Sequence, residues 1–122
     1  MTERRMRKTA VAPAASPDVP QLLSELELGG DPLATGVVIA GFGAAWCAPW
    51  MLLEPARDAL ANACHRASVR YIEIDVEGRP DLALSWQVVV LPTFLLAREG
   101  EEQDRLVGAV DQPGLLELVE RI

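Results

Sequence analysis

The apolar run Val37-Val38-Ile39-Ala40-Gly41-Phe42, closed by Gly43, carries no charge and is too short for a core helix, so it predicts a buried strand. Leu52, Leu53, Ala56, Leu60, Ala63 and Cys64 then recur at helical spacing and predict one long helix from Pro49 to about Ala67. Pro55 lies inside it and is expected to kink it by deleting a backbone hydrogen bond. Val69 to Asp75 alternates as a half-buried strand does, and Arg79 to Trp86 reads as a short helix. Two apolar runs, Val88 to Leu91 and Thr93 to Ala97, flank Pro92. Arg98-Glu99-Gly100-Glu101 reads as a hairpin turn with Gly100 at a positive φ, and Gln103 to Val107 as the returning strand. Gln112 to Ile122 closes the chain as an amphipathic helix. Upstream, Gln21 to Leu28 is a short helix candidate ended by Gly29-Gly30, with a turn over Asp31 to Gly36. The element order α-β-α-β-α-β-β-α predicts a mixed sheet covered by helices.

At 122 residues the chain has the size of one domain, which buries roughly two thirds of its unfolded surface without needing a staple. Residues 1–19, with Arg4, Arg5, Arg7 and Lys8 followed by an Ala/Pro/Ser-rich stretch, read as a disordered basic tail, and residues 20–122 as the folded domain. The tail is too weakly apolar for a signal-peptide core, and no run approaches the ~18 apolar residues of a membrane span. The net charge of -7 sits in the body of the chain and argues against nucleic acid as a partner. Two cysteines make no disulfide framework, so the reading is a cytoplasmic protein in a reducing compartment.

The candidate chemistry lies between the first strand and the long helix, in Trp46-Cys47-Ala48-Pro49-Trp50. A cysteine at a helix start sits among unpaired backbone N–H groups at the positive dipole end, and both stabilise a thiolate. The pentapeptide resembles the Trp-Cys-Gly-Pro-Cys motif of the thioredoxin family, with Trp50 where the second, resolving cysteine stands. Pro55 falls where that family carries a helix-kinking proline, Leu91-Pro92-Thr93 resembles its cis-proline segment, and Gly100 and Gly108 match its hairpin and strand glycines. The resemblance spans about Val37 to Ile122. It implies an α/β thioredoxin-like fold, a central mixed β-sheet flanked by helices, with the N-terminal strand shortened or absent. It further implies a nucleophile at Cys47 and a partner groove formed by Trp46, Ala48, Pro49, Trp50, Leu91, Pro92 and Thr93.

Dithiol exchange needs a thiolate to attack and a second thiol to resolve. Cys64 cannot resolve Cys47, because seventeen residues of helix separate the two by roughly 25 Å, far beyond the ~7 Å a disulfide spans. It reads as a buried, inert thiol. Relatives carry a buried acid six residues before the nucleophile and a lysine beside it; here those positions are Gly41 and Tyr71. Trp50, one turn from Cys47, has two readings: it shields the sulfur or packs into the space left by Gly41, or it forms an aromatic platform for a partner. His65 is the only histidine, and one histidine with two distant cysteines makes no metal site, so neither metal nor other cofactor is expected. The expected function is monothiol exchange, in which a mixed disulfide at Cys47 is resolved by an external thiol. The expected partners are protein disulfides, extended peptide segments, or a low-molecular-weight thiol, with no nucleic acid and no membrane. The alternative is a non-catalytic accessory module that holds a partner chain in the Trp46/Trp50/Pro92 groove.

Overall fold

The computed structural model describes residues 30–108 and 110–122. The basic tail and the Gln21 to Leu28 helix candidate lie outside these residues. Strand β1 (Val37–Gly43) is paired on both sides. It runs parallel to β2 (Arg70–Asp75) and antiparallel to β3 (Thr93–Arg98), and β3 pairs antiparallel with β4 (Glu101–Val107). The sheet order is therefore β2-β1-β3-β4. The continuous apolar run of β1 has its explanation here: both faces of this strand are covered. Val38, Ala40 and Phe42 face one core cluster with Leu33, Leu82, Trp86 and Leu95. Ile39 faces the other with Trp50, Leu60, Cys64, Phe94, Leu96, Leu115 and Leu118.

The long helix is the main departure from expectation. It is two helices, α1 (Ala48–Leu52) and α2 (Glu54–Arg66), broken at Leu53 with φ -85° and ψ 4°. Pro55 does not kink a continuous helix; it occupies the first turn of α2, where a missing N–H has no intrahelical partner to lose. Helix α3 (Pro80–Ser85) brings Leu82 and the following Trp86 onto the face that carries Val38, Ala40 and Phe42. Helix α4 (Gln112–Glu120) packs beside α2 on the face that carries Ile39. Asp111 caps α4, its carboxylate accepting from the Gly114 N–H at 2.9 Å.

The apolar run before Pro92 is irregular backbone rather than strand, with Val89 and Val90 exposed; pairing begins at Thr93. The Leu91–Pro92 peptide is cis. The returning strand starts two residues earlier than expected, because Arg98 pairs directly with Glu101. That leaves a two-residue loop in which Glu99 (φ 51°) and Gly100 (φ 83°) are both left-handed, the geometry whose twist suits tight hairpins. Among the described residues no helix is long and apolar enough to cross a membrane.

Candidate functional site

Cys47 stands where β1 gives way to α1. A tight turn brings its N–H to the Ala44 carbonyl at 3.0 Å, and its own carbonyl accepts from the Met51 N–H at 3.1 Å. It is the N-cap residue of α1, its thiol makes no capping hydrogen bond, and Pro49 fills the first turn. The residue is only 6% exposed. Phe42 pairs with Thr93, so Pro92 stands level with Gly43, four residues before Cys47. The β1–α1 turn and the Leu91-Pro92-Thr93 segment thus meet at one end of the sheet. Pro92 and Thr93 are buried and Leu91 half-buried, and the Thr93 hydroxyl donates to the Val90 carbonyl at 2.6 Å, tying down the backbone ahead of the proline.

The two tryptophans flanking Cys47 take opposite environments. Trp46 is 64% exposed, and its indole Nε1 donates to Glu77 Oε2 at 2.5 Å. Ala48 and Pro49 are exposed beside it. Trp50 is 8% exposed and belongs to the core. Its indole lies against the backbone of Gly43 and Gly41 so closely that a Cβ on Gly43 would sit 2.0 Å from the ring and one on Gly41 3.1 Å from it. The ring stacks on Phe94 with centroids 5.8 Å apart and planes 24° from parallel. Of its two readings, Trp50 therefore adopts the packed one. The glycine where relatives carry an acid is part of the reason, because no side chain at Gly41 or Gly43 competes for the space.

A buried polar cluster accompanies this packing, and sequence reasoning missed it. The Arg57 guanidinium lies over the Trp50 ring at 4.0 Å from its centroid. Its Nε and Nη2 donate to the Trp50 carbonyl at 3.3 and 3.1 Å, and its Nη1 pairs with Glu73 Oε2 at 2.9 Å. The Tyr71 hydroxyl donates to the same carboxylate oxygen at 2.7 Å. Glu73 pairs with Gly41 in the β1–β2 register, so a buried acid stands one strand away from Gly41. Burial pushes the Glu73 carboxyl above its ordinary value despite the opposing pull of Arg57 and of the Tyr71 hydroxyl. Burial, then the Glu73 charge, pushes the Tyr71 hydroxyl well up. The signal for Arg57 was in the chain: Leu53, Arg57, Leu60 and Cys64 follow helical spacing, so a cation stands inside an apolar stripe.

Cys64 lies ten residues into α2, roughly 15 Å along its axis from Glu54. Both cysteines are free thiols. Burial pushes the Cys64 thiol up to about 12.

Comparison with known proteins agrees with this architecture. The chain is 39% identical over 75 residues to Thioredoxin H2-1 of Oryza sativa subsp. japonica, a match covering 62% of this chain and 53% of that protein. It is 34% identical over 91 residues to the thioredoxin of Chlamydia trachomatis, covering 75% and 87%. Mitochondrial thioredoxin 3 from Saccharomyces cerevisiae superposes with a TM-score of 0.66 at 26% identity, over 82% of this chain and 90% of that one. The thioredoxin of Fasciola hepatica gives 0.64 at 28% identity, over 81% and 89%. The chain spans about half the length of the plant relatives it matches first, 53% in each case. The Thioredoxin family model matches residues 32–121, the stretch that holds the whole sheet, the Cys47 turn and the Pro92 segment, and the chain belongs to the thioredoxin family.

Proposed function

We propose that this protein is a monothiol of the thioredoxin family, acting on protein disulfides in a reducing, cytoplasmic setting. The Cys47 thiolate attacks one sulfur of a substrate disulfide. A bond forms between the Cys47 sulfur and that sulfur, the substrate S–S bond breaks, and the departing substrate thiolate takes up a proton. An external low-molecular-weight thiolate then attacks the substrate sulfur of the mixed disulfide. Cys47 leaves as a thiolate, and the substrate carries the new disulfide to the external thiol. The number of disulfides is unchanged, and no second thiol of this chain attacks in the second step.

One observation carries the reading. The position one turn after Cys47 is filled by a packed indole, Trp50, and the remaining thiol, Cys64, is buried and held protonated, pushed up to about 12 by that burial. In this reading an extended segment of the substrate lies across Trp46, Ala48, Pro49, Leu91, Pro92 and Thr93, with Trp50 packed in the core one turn after Cys47.

The test is exposure to glutathione disulfide and to a disulfide-bonded protein, followed by intact-mass analysis. The expected result is a single adduct, mapped to Cys47, that persists until a small thiol is added. A wild-type protein left unmodified under a challenge that labels an ordinary exposed thiol refutes the reading. Partners captured equally by wild type and Cys47→Ser would assign the surface to non-covalent binding instead. Steady turnover with an NADPH-linked reductase and no added small thiol would also overturn it.

A further inference from the structure

We infer that Arg57 is the positioning residue of the Cys47 site, a guanidinium clamp that reaches from α2 and holds the end of α1 by both the carbonyl and the ring of Trp50. The inference deepens the monothiol reading and rests on it for its consequence in exchange. Its geometry stands independently of that reading.

Helix α1 has five residues, too few to hold its shape by its own hydrogen bonds. Its continuation is cut at Leu53, and Pro55 supplies no N–H to the turn before it. The cysteine-bearing turn therefore depends on contacts from elsewhere. Three donors converge on the Trp50 carbonyl: the Leu53 N–H at 3.2 Å, and Arg57 Nε and Nη2 at 3.3 and 3.1 Å. The same guanidinium covers the Trp50 ring at 4.0 Å. One side chain thus fixes Trp50 at its backbone and at its ring, and Trp50 lies one turn beyond Cys47. A positive group at a carbonyl end also offsets the exposed helix carbonyls.

Arg57 is itself held. It is 8% exposed, and its third contact, Glu73 Oε2 at 2.9 Å, is shared with the Tyr71 hydroxyl at 2.7 Å. Glu73 and Tyr71 stand two residues apart on one face of β2, so the clamp is anchored to the sheet. Only a planar fork makes this set of contacts. A lysine ammonium can keep the charge and the pairing with Glu73, but it cannot grip one carbonyl with two donors while lying flat on an indole.

The experiment uses the full chain labelled with 5-fluorotryptophan, the three resonances being assigned through Trp46→Phe and Trp86→Phe. Arg57→Lys is compared with wild type for thermal midpoint, for the Trp50 fluorine resonance, and for the rate of Cys47 alkylation by iodoacetamide. The expected result is a folded protein whose Trp50 resonance moves toward the solvent-exposed position. Its Cys47 is expected to alkylate about tenfold faster, the factor that one lost charge-assisted hydrogen bond implies for a local opening. A folded Arg57→Lys with an unmoved resonance and a rate within about twofold of wild type overturns the inference. Should Arg57→Lys fail to fold, the double variant Arg57→Met/Glu73→Met, which replaces the buried pair by apolar side chains, carries the same two readouts. Loss of the fold in both variants overturns the inference too, since Arg57 would then support the whole domain rather than this site. A clamp that passes these tests in a protein forming no mixed disulfide leaves Arg57 in place and refutes the monothiol reading alone.

Discussion

Gly43→Ala adds a single methyl group and should be among the more damaging small substitutions in this chain. Gly43 closes β1, and its backbone is not left-handed, so an alanine costs nothing in φ and ψ. The cost is contact. The new Cβ would lie 2.0, 2.3 and 2.4 Å from the Cδ2, Cε2 and Cε3 atoms of Trp50, which belong to the rigid ring rather than to a flexible end. Restoring an ordinary 3.4 Å contact requires the indole to retreat by roughly 1.4 Å. It has no room to do so, with Phe94 stacked at 5.8 Å and the Arg57 guanidinium at 4.0 Å from the ring centroid. Overpacking of this kind costs about 1–3 kcal/mol, and the rigid surroundings argue for the upper end. The assay is urea denaturation, in which the midpoint should fall by roughly 1–2 M. Trp50→Ala alone should cost about 3–5 kcal/mol as a large core truncation. In that background Gly43→Ala should cost almost nothing, so the two changes should couple by nearly the whole single-site penalty. A Gly43→Ala protein within about 0.5 kcal/mol of wild type, or an equal penalty in both backgrounds, would refute the packing argument.

Further outcomes follow from the same geometry. Burial raises the Glu73 carboxyl above its ordinary 4.5, so the folded state holds its proton longer than the unfolded chain; stability should fall as pH rises from 4.5 through the raised value, and urea titrations should find this fall missing in Glu73→Gln. With the Cys64 thiol held up to about 12, a thiol titration of the native protein near neutral pH should count only Cys47, and should count both thiols in denaturant; native labelling of Cys47→Ser at a comparable rate would contradict this. Glu99 adopts φ 51° in a two-residue hairpin loop, a conformation asparagine accepts more readily, so Glu99→Asn should raise stability by about 0.5 kcal/mol in thermal or urea unfolding.

The elements were largely legible in the chain because each carries a local signal. Val37–Gly43 is a strand with the predicted limits, since an apolar run of that length, bounded by glycines, has no other use in a small domain. The hairpin at Glu99-Gly100 was legible for a similar reason, as was the closing helix. Apolar periodicity after Cys47 runs straight through Leu53 and is blind to a one-residue break, and the place of Pro55 in the first turn of a second helix depends on that break. The candidate site was half legible. Cys47 and Pro92 announce themselves by motif, whereas Arg57 and Glu73 lie in different elements and neither motif includes them.

The order of elements, the family resemblance and the absence of a second thiol at the position of Trp50 can all be read along the chain, since each is a property of neighbours in it. What Trp50 does there depends on residues that the fold brings together. Its indole fills the space above two glycines of β1, is backed by Phe94 of β3, and is covered by Arg57 of α2, which leans on Glu73 of β2. Those partners are separated along the chain and meet only when the sheet pairs and the helices pack. A buried charge is tolerable only where its partner is already in place, and no linear pattern records that meeting.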